Sequence, residues 1–156
     1  MIGATVSRPK ILVVDRGPDL AAQVEALAAR LRPVPEVVSW ARLGSIGEAV
    51  AEQGPFSVVV AGPSLANRSG LKRLSSIHEL HPSTSILLAF SDRPDSSLRE
   101  IIQSGAEDLL HLPAEDELVT ASLERSIAIS ARRGLGKENL SLVGAPSTPA
   151  LGRVFA

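Results

Sequence analysis

Two predicted strand ends define the place where this chain could do chemistry. The apolar run "ILVVD" (11–15) ends on Asp15 and is followed directly by Arg16. The run "FSVVVA" (56–61) ends in the turn "GPSLANRSG", which holds no carboxylate, thiol or histidine and only one charge, Arg68. Many α/β proteins place their functional groups at such strand ends. The sequence therefore predicts the position of a functional site at these strand ends but supplies almost no reactive side chains there.

The chain contains three histidines and no cysteine, so disulfides, thiolate chemistry and cysteine-bound metals are excluded. His78 and His81 stand three residues apart near a predicted helix end, a spacing that could bind a metal ion. No further ligand lies nearby in the sequence, which favours a solvated helix end. His111 falls in a short apolar run and is interpreted as a strand-end residue. The sequence therefore predicts no metal and no cofactor.

The composition is typical of one aliphatic globular domain. The 156 residues are 44% hydrophobic but only 3% aromatic, so Leu, Val, Ile and Ala must form the core. A net charge of -1 gives no electrostatic reason to expect a nucleic-acid partner. The first residues lack the apolar run of a signal peptide, and no run is long enough to span a membrane. We therefore expect a cytoplasmic protein without membrane insertion.

Short apolar runs alternate with segments of helical periodicity. Most of the runs are nearly continuous Val, Ile and Leu, which is typical of parallel strands buried on both faces. The runs are 11–15, 36–40, 56–61, 85–90 and 108–112. Between them, apolar residues spaced three and four apart predict helices that pack on a core. These residues are Leu20, Val24, Leu27 and Leu31, then Leu71, Leu74, Ile77 and Leu80, then Leu98, Ile101 and Ile102.

The alternation of strands and helices with short connections predicts a parallel, doubly wound α/β sheet with helices on both faces. Gly105 is placed to end a helix in the left-handed conformation. We assign residues 9–133 to this domain and residues 1–8 to an N-terminal tail. Residues 134–156 are rich in Gly, Ser and Pro, so they are predicted to be a flexible linker and the possible start of a following domain.

Three stretches within 9–133 resemble the receiver domain of response regulators, the CheY-like fold. They are "KILVVDR", "SGLKRLSSIHELHPSTSILLAFS" and "IIQSGAEDLLHLP". This resemblance implies a five-stranded parallel sheet of order 2-1-3-4-5 with five helices. Receivers hold Mg²⁺ with two acids after the first strand and with a phosphoacceptor Asp after the third. They contact the phosphoryl group with a Thr or Ser after the fourth strand and a Lys after the fifth.

The first three of these positions are mostly changed in this chain. Asp15 matches the first acid, and Arg16 stands in place of the second. The phosphoacceptor position falls on Gly62, or on Ala61 if the loop shifts by one. Without that Asp there is no nucleophile to phosphorylate. We expect Asp15 to be a structural carboxylate bound to Arg16 or to loop amides.

The remaining receiver positions are changed as well. Phe90 takes the Thr/Ser position, with Ser91 one residue later, and Leu112 takes the Lys position before Pro113. Leu109 takes the place of the aromatic switch residue. The resemblance therefore implies a degenerate receiver, a pseudo-receiver that is not an enzyme and accepts no phosphoryl group.

The last predicted helix, 115–133, is apolar over more of its circumference than packing on a sheet requires. Its apolar residues cover about 180° of the wheel, whereas one buried face needs about 100°. In receivers the side made by the fourth helix, the fifth strand and the fifth helix commonly mediates dimerisation, so we predict a homodimer there. The predicted interface residues are Leu98, Ile102, Leu123, Ile127 and Ile129. The alternative is that Ile129 packs under the linker.

A degenerate receiver, a Gly/Pro/Ser-rich linker and the strand-like "LGRVFA" together resemble the start of CpaE/TadZ-type pilus-assembly ATPases of the MinD/ParA group. This resemblance implies a protein-binding module that regulates or localises an attached ATPase, recruited to a cell pole or secretion complex. The alternative is a stand-alone atypical response regulator in a two-component phosphorelay. A third possibility is a phosphoacceptor that uses another acid, such as Asp92.

Overall fold

The computed structural model describes residues 8–91 and 98–143, and for Leu98 and residues 135–143 it describes the backbone alone. Five strands form one sheet. They are β1 (Lys10–Val14), β2 (Glu36–Trp40), β3 (Val58–Ala61), β4 (Ser85–Phe90) and β5 (Ala106–His111). The helices are α1 (Asp19–Ala28), α2 (Ile46–Gln53), α3 (Arg68–Leu80), α4 (Leu98–Gln103) and α5 (Asp116–Val143). Short 3-10 turns at Leu43–Ser45 and Pro63–Leu65 precede α2 and α3.

The sheet has the order β2-β1-β3-β4-β5, and every neighbouring pair is parallel. The predicted five-stranded doubly wound α/β fold of order 2-1-3-4-5 with five helices is therefore confirmed. The register aligns Val14 with Trp40 on one side and with Ala61 on the other. This alignment brings the residues after β1 and β3, Asp15 and Gly62, to the same edge of the sheet.

Strand residues alternate between two buried clusters, because successive side chains of a strand point to opposite faces. In β3, Val59 and Ala61 join the cluster under α2, α3 and α4, whereas Val58 and Val60 join the cluster under α1 and α5. All four of these side chains are fully buried. The continuous Val run thus indicates a central strand that is covered by helices on both sides.

Two sequence predictions for the helices need correction. The apolar pattern of α3 suggested that Leu80 faces the core, but its side chain is 75% exposed. Leu80 is the last residue of α3, beyond the buried Ile77. The segment 134–143, predicted as linker, instead continues α5 to Val143. Its Gly residues lower helix propensity by only about 1 kcal/mol each, and Leu, Lys and Glu between them favour a helix.

The remaining ends of the chain lie outside the described residues, namely 1–7 of the predicted tail and 144–156 of the predicted linker. Gly105 has the predicted left-handed conformation, with a φ of 85°. Within 8–91 and 98–143, no helix is both long and apolar enough to cross a membrane.

Candidate functional site

The candidate site lies where β1 and β3 end, and the backbone of the two strands is joined there. The amide of Gly62 donates to the carbonyl oxygen of Val14 at 2.8 Å. Asp15 follows Val14, so its side chain starts next to the α-carbon of Gly62. These are the two positions at which a receiver would carry an acid and its phosphoacceptor.

Gly62 leaves no room for a side chain, because the carboxyl group of Asp15 fills the space. A Cβ atom built on Gly62 would lie 2.4 Å from Cγ of Asp15 and 2.8 Å from its Oδ1. The φ of Gly62 is -81°, which any residue can adopt. A side chain at position 62 would therefore require Asp15 to move, whereas the backbone conformation there accepts any residue.

Asp15 is held by the loop that follows Gly62. Its Oδ1 accepts the amide of Ser64 at 3.1 Å, and the amide of Arg16 donates to Oγ of Ser64 at 3.3 Å. We call this reciprocal pair of bonds the Asp15–Ser64 clasp. The alternative in which Asp15 binds loop amides is therefore observed. The other alternative, an ion pair between Asp15 and Arg16, is not observed, since within the described ranges the side chain of Arg16 forms no salt bridge.

Asn67, which sequence reasoning did not single out, connects the clasp to α3. Its Oδ1 accepts the amide of Gly70 at 2.8 Å, and its Nδ2 donates to the carbonyl of Ser64 at 3.0 Å. An Asn directly before a helical pattern is a recognisable N-cap signal. Gly70 is also constrained, because a Cβ there would lie 2.3 Å from the carbonyl oxygen of Leu65.

The ends of β4 and β5 carry an aromatic pair instead of a hydroxyl and a lysine. The rings of Phe90 and His111 lie 5.2 Å apart between centroids, and Nε2 of His111 lies 3.0 Å from the carbonyl oxygen of Ser91. The amide of Leu112 donates to the carbonyl of Phe90 at 2.7 Å. Leu112 itself packs against the cluster under α1 and α5. His111 is a strand-end residue, as predicted.

The described residues at this edge cannot assemble an ordinary receiver metal site. The residues that directly follow β1 and β3 contribute one carboxylate, Asp15, with the cation Arg16 beside it in the chain. No grouping of three or more His, Cys, Asp or Glu with metal-binding geometry occurs in the described part of the chain. A cleft of about 370 Å³ beside Asp15 is lined by both Arg16 and Glu25, and also by Trp40. Its opposed charges do not resemble a phosphate pocket.

The predicted dimer residues have quite different exposures. Ile102 of α4 is 64% exposed and suits a contact surface, as does Leu109 of β5 at 43%. Leu123 is fully buried in the cluster under α1 and α5, so the prediction that it contacts a partner is wrong. Ile127 packs against the same cluster, and Ile129 is half-buried. The side chain of Leu98 lies outside the described residues.

The sheet order and the position of the strand-end site together define a receiver-type α/β domain. No protein-family model and no curated protein matches the chain. Among solved structures, the chain is similar to a protein from Burkholderia pseudomallei described as pilus assembly-related, at 20% identity and a TM-score of 0.66, over 78% of this chain and 90% of that one.

Two further similar structures carry other descriptions. The BeF3-activated receiver domain of DrrB from Thermotoga maritima has 24% identity and a TM-score of 0.63, with 78% of this chain and 99% of that one covered. An adenylate cyclase structure from Rhodopirellula baltica has 18% identity and a TM-score of 0.70, with 86% and 98% covered. At these identities the likeness establishes the CheY-like receiver fold.

Proposed function

We propose that this domain is a pseudo-receiver that accepts no phosphoryl group, has no catalytic activity of its own and acts through protein contacts. The observation that carries the proposal is the packing of the Asp15 carboxyl group on Gly62. An aspartate at position 62 would need the volume that Asp15 occupies. The fold thus keeps the shape of a receiver while the reactive position is filled from the neighbouring strand.

The charges around this position support the same proposal. Mg²⁺ requires oxygen ligands and accumulated negative charge. The carboxylate that directly follows β1, Asp15, is already bound to the amide of Ser64, and Arg16 adds a positive charge in place of the second acid. Leu112 supplies no cation for a phosphoryl group.

Incubation with acetyl phosphate and Mg²⁺, followed by intact mass measurement, tests the proposal. We expect no added phosphate, while a receiver with a complete acid set treated in parallel should gain one. An acid-labile adduct on this chain would contradict the proposal and favour the alternative, an atypical response regulator in a phosphorelay. Peptide mapping would then decide whether Asp92, which lies outside the described residues, is the acceptor.

We further propose that the domain forms a homodimer through α4, β5 and α5. Ile102 and Leu109 are large apolar side chains exposed on adjacent elements at the β5 edge of the sheet. An ion pair between Arg125 of α5 and Asp108 of β5, at 3.5 Å, lies on the same side. Exposed apolar side chains flanked by charges are typical of a protein interface.

Light scattering on the wild type and on Ile102→Glu tests this contact. We expect the variant to associate more weakly than the wild type at the same concentration, because the new charge would have to be buried without a partner at this contact. Glu52→Gln on the distant α2 is the matched control and should leave the mass unchanged. A wild-type protein that stays monomeric at every concentration would contradict the proposed homodimer.

More specifically, we propose that the domain acts in pilus assembly, attached to a CpaE/TadZ-type ATPase of the MinD/ParA group. It is supported by the likeness to the pilus assembly-related protein from Burkholderia pseudomallei. Such a module would position an attached ATPase at a cell pole or secretion complex. A fluorescent fusion of the domain, expressed in its native host, should form foci where pili assemble, and diffuse fluorescence would contradict this role.

A further inference from the structure

Leu80 marks a second exposed surface, at the end of α3. Two clefts of about 500 and 410 Å³ both include Leu80 and His81 in their walls. The larger one, the amino-end cleft, lies at the amino ends of β1 and β4 and includes Lys10 and Thr84. The smaller one, the α2–α3 cleft, lies between those two helices. The two clefts and the exposed Leu80 between them are named the socket.

The socket is predominantly positive. Its walls contain Arg8, Lys10 and Arg73, whereas the only carboxylate among the lining residues is Glu48. Within the described ranges none of the three cations belongs to a salt bridge. Each makes a hydrogen bond to a backbone carbonyl, from Arg8 to Val34, from Lys10 to Gln53 and from Arg73 to Gly44. Their charges are therefore available to an acidic partner.

The start of α5 has the complementary character. Glu115, Asp116 and Glu117 are exposed, and they are followed by Leu118, which is 57% exposed. Asp116 accepts one hydrogen bond, from Gln23 at 3.3 Å. Three acids and one exposed leucine form a short segment, 115–118, that we name the plug. It follows the carboxyl end of β5, whereas the socket lies at the amino ends of the strands.

We propose that the plug of one copy of this chain docks in the socket of a second copy, with Leu118 packing on Leu80. The charge on each side matches the other, and each side offers one exposed leucine as its apolar centre. Because plug and socket lie at opposite ends of the strands, the contact is head-to-tail. Such a heterologous contact repeats into a ring or an open filament.

Segments of the same chain that the structure does not describe fit the socket less well. Residues 1–7 and 144–156 contain no Asp or Glu. Residues 92–97 contain two Asp but also an Arg, and in the chain they follow β4, whose carboxyl end lies at the opposite edge of the sheet from the socket. We therefore take the plug of a second copy, which carries three acids and an exposed leucine, as the occupant of the socket.

The head-to-tail arrangement predicts a mixing result that a symmetric dimer cannot give. Leu80→Asp blocks the socket and leaves the plug intact, whereas Leu118→Asp blocks the plug and leaves the socket intact. In sedimentation velocity, each variant alone should associate about tenfold more weakly than the wild type. An equimolar mixture should form a one-to-one dimer that does not grow further at higher concentration.

The experiment is carried out in the Ile102→Glu background, so that loss of the symmetric dimer does not affect the outcome. Arg73→Glu should also weaken association, while Lys72→Glu, its exposed neighbour on the α3–α4 side of the helix, should not. Higher salt should weaken the contact, because exposed charges are screened. The proposal would be overturned if the mixture of the Leu80→Asp and Leu118→Asp variants stays monomeric while the Ile102→Glu protein alone associates. It would also be overturned if the Ile102→Glu protein never associates.

Discussion

The carboxyl group of Asp15 lies against the α-carbon of Gly62, with no space between them for a methyl group. Two adjacent parallel strands place these residues side by side, and the Ser64 amide holds the carboxylate in position. The space next to the α-carbon of Gly62 is thus occupied by the side chain of Asp15. This relationship leads to a direct test by substitution.

Gly62→Ala should destabilise the domain by about 1–3 kcal/mol, the usual cost of forcing extra atoms into a packed site. The added Cβ would meet Cγ of Asp15 at 2.4 Å, so the clasp must move. Urea denaturation measures the loss of unfolding free energy. Gly47→Ala is the matched control, since a Cβ at Gly47 meets nothing within 4 Å and should stabilise α2.

A double variant identifies the cause of that loss. Asp15→Gly removes the three atoms nearest to the new Cβ, so Gly62→Ala should cost much less in that background. The double-mutant cycle should then show a favourable coupling of about 1 kcal/mol or more. Simple additivity of the two losses would mean that Asp15 is not the obstacle.

Asn67→Ala should lower the unfolding free energy by about 1–2 kcal/mol, because the N-cap of α3 loses its acceptor. The bond to the Gly70 amide and the bond to the Ser64 carbonyl are both removed. Asn67→Asp retains the acceptor and should lose less. Equal losses for the two variants would contradict the capping role. Thermal unfolding followed by circular dichroism is sufficient for this comparison.

Leu123 and Leu118 stand five residues apart on α5 with opposite environments. Leu123→Ala should cost about 2–5 kcal/mol, the range for truncating a buried leucine. Leu118→Ala should stay within about 0.5 kcal/mol, because its side chain is exposed. Measuring both by urea denaturation in dilute solution avoids contributions from association. Similar losses at both positions would contradict the assignment of Leu123 to the core.

Gly134→Ala tests whether the helix continues into the segment predicted as linker. Alanine should stabilise a helix interior by up to about 1 kcal/mol over glycine, and a Cβ at Gly134 meets nothing within 4 Å. Amide hydrogen exchange of residues 135–140 should slow in the variant. Unchanged, fast exchange in both proteins would restore the linker interpretation.

The sheet was predictable because its signals are strong and local. Runs such as Val58–Ala61 are short, continuously apolar and rich in β-branched Val, which favours a strand covered on both faces, and the short connections allow few topologies. Leu80 was misassigned because periodicity shows which side of a helix is apolar but not where the sheet beneath it ends. Leu123 was wrongly assigned to the interface because the apolar residues of α5 cover a wide arc of the helical wheel. The pattern therefore does not separate residues that face the core from residues that are exposed.

The candidate site was predictable in position but not in detail. Spacing from the neighbouring motifs located Gly62, but only three-dimensional packing reveals that Asp15 fills the space above it. The expected pairing of Asp15 with Arg16 assumed that opposite charges next to each other in sequence would meet. A backbone amide of the adjacent loop, at Ser64, binds the carboxylate instead. Backbone donors carry no signal in the residue types.

The length of α5 has a mechanical consequence. Arg133 binds Glu107 through both guanidinium nitrogens, which anchors the helix to the edge of the sheet. From there residues 134–143 continue as helix, an extension of about 15 Å at 1.5 Å per residue. That extension projects beyond the contact between Arg133 and Glu107, which among the described side chains is the last point at which the helix is held to the sheet by an ion pair. A small rotation of the helix about Arg133 is therefore converted into a larger displacement at Val143.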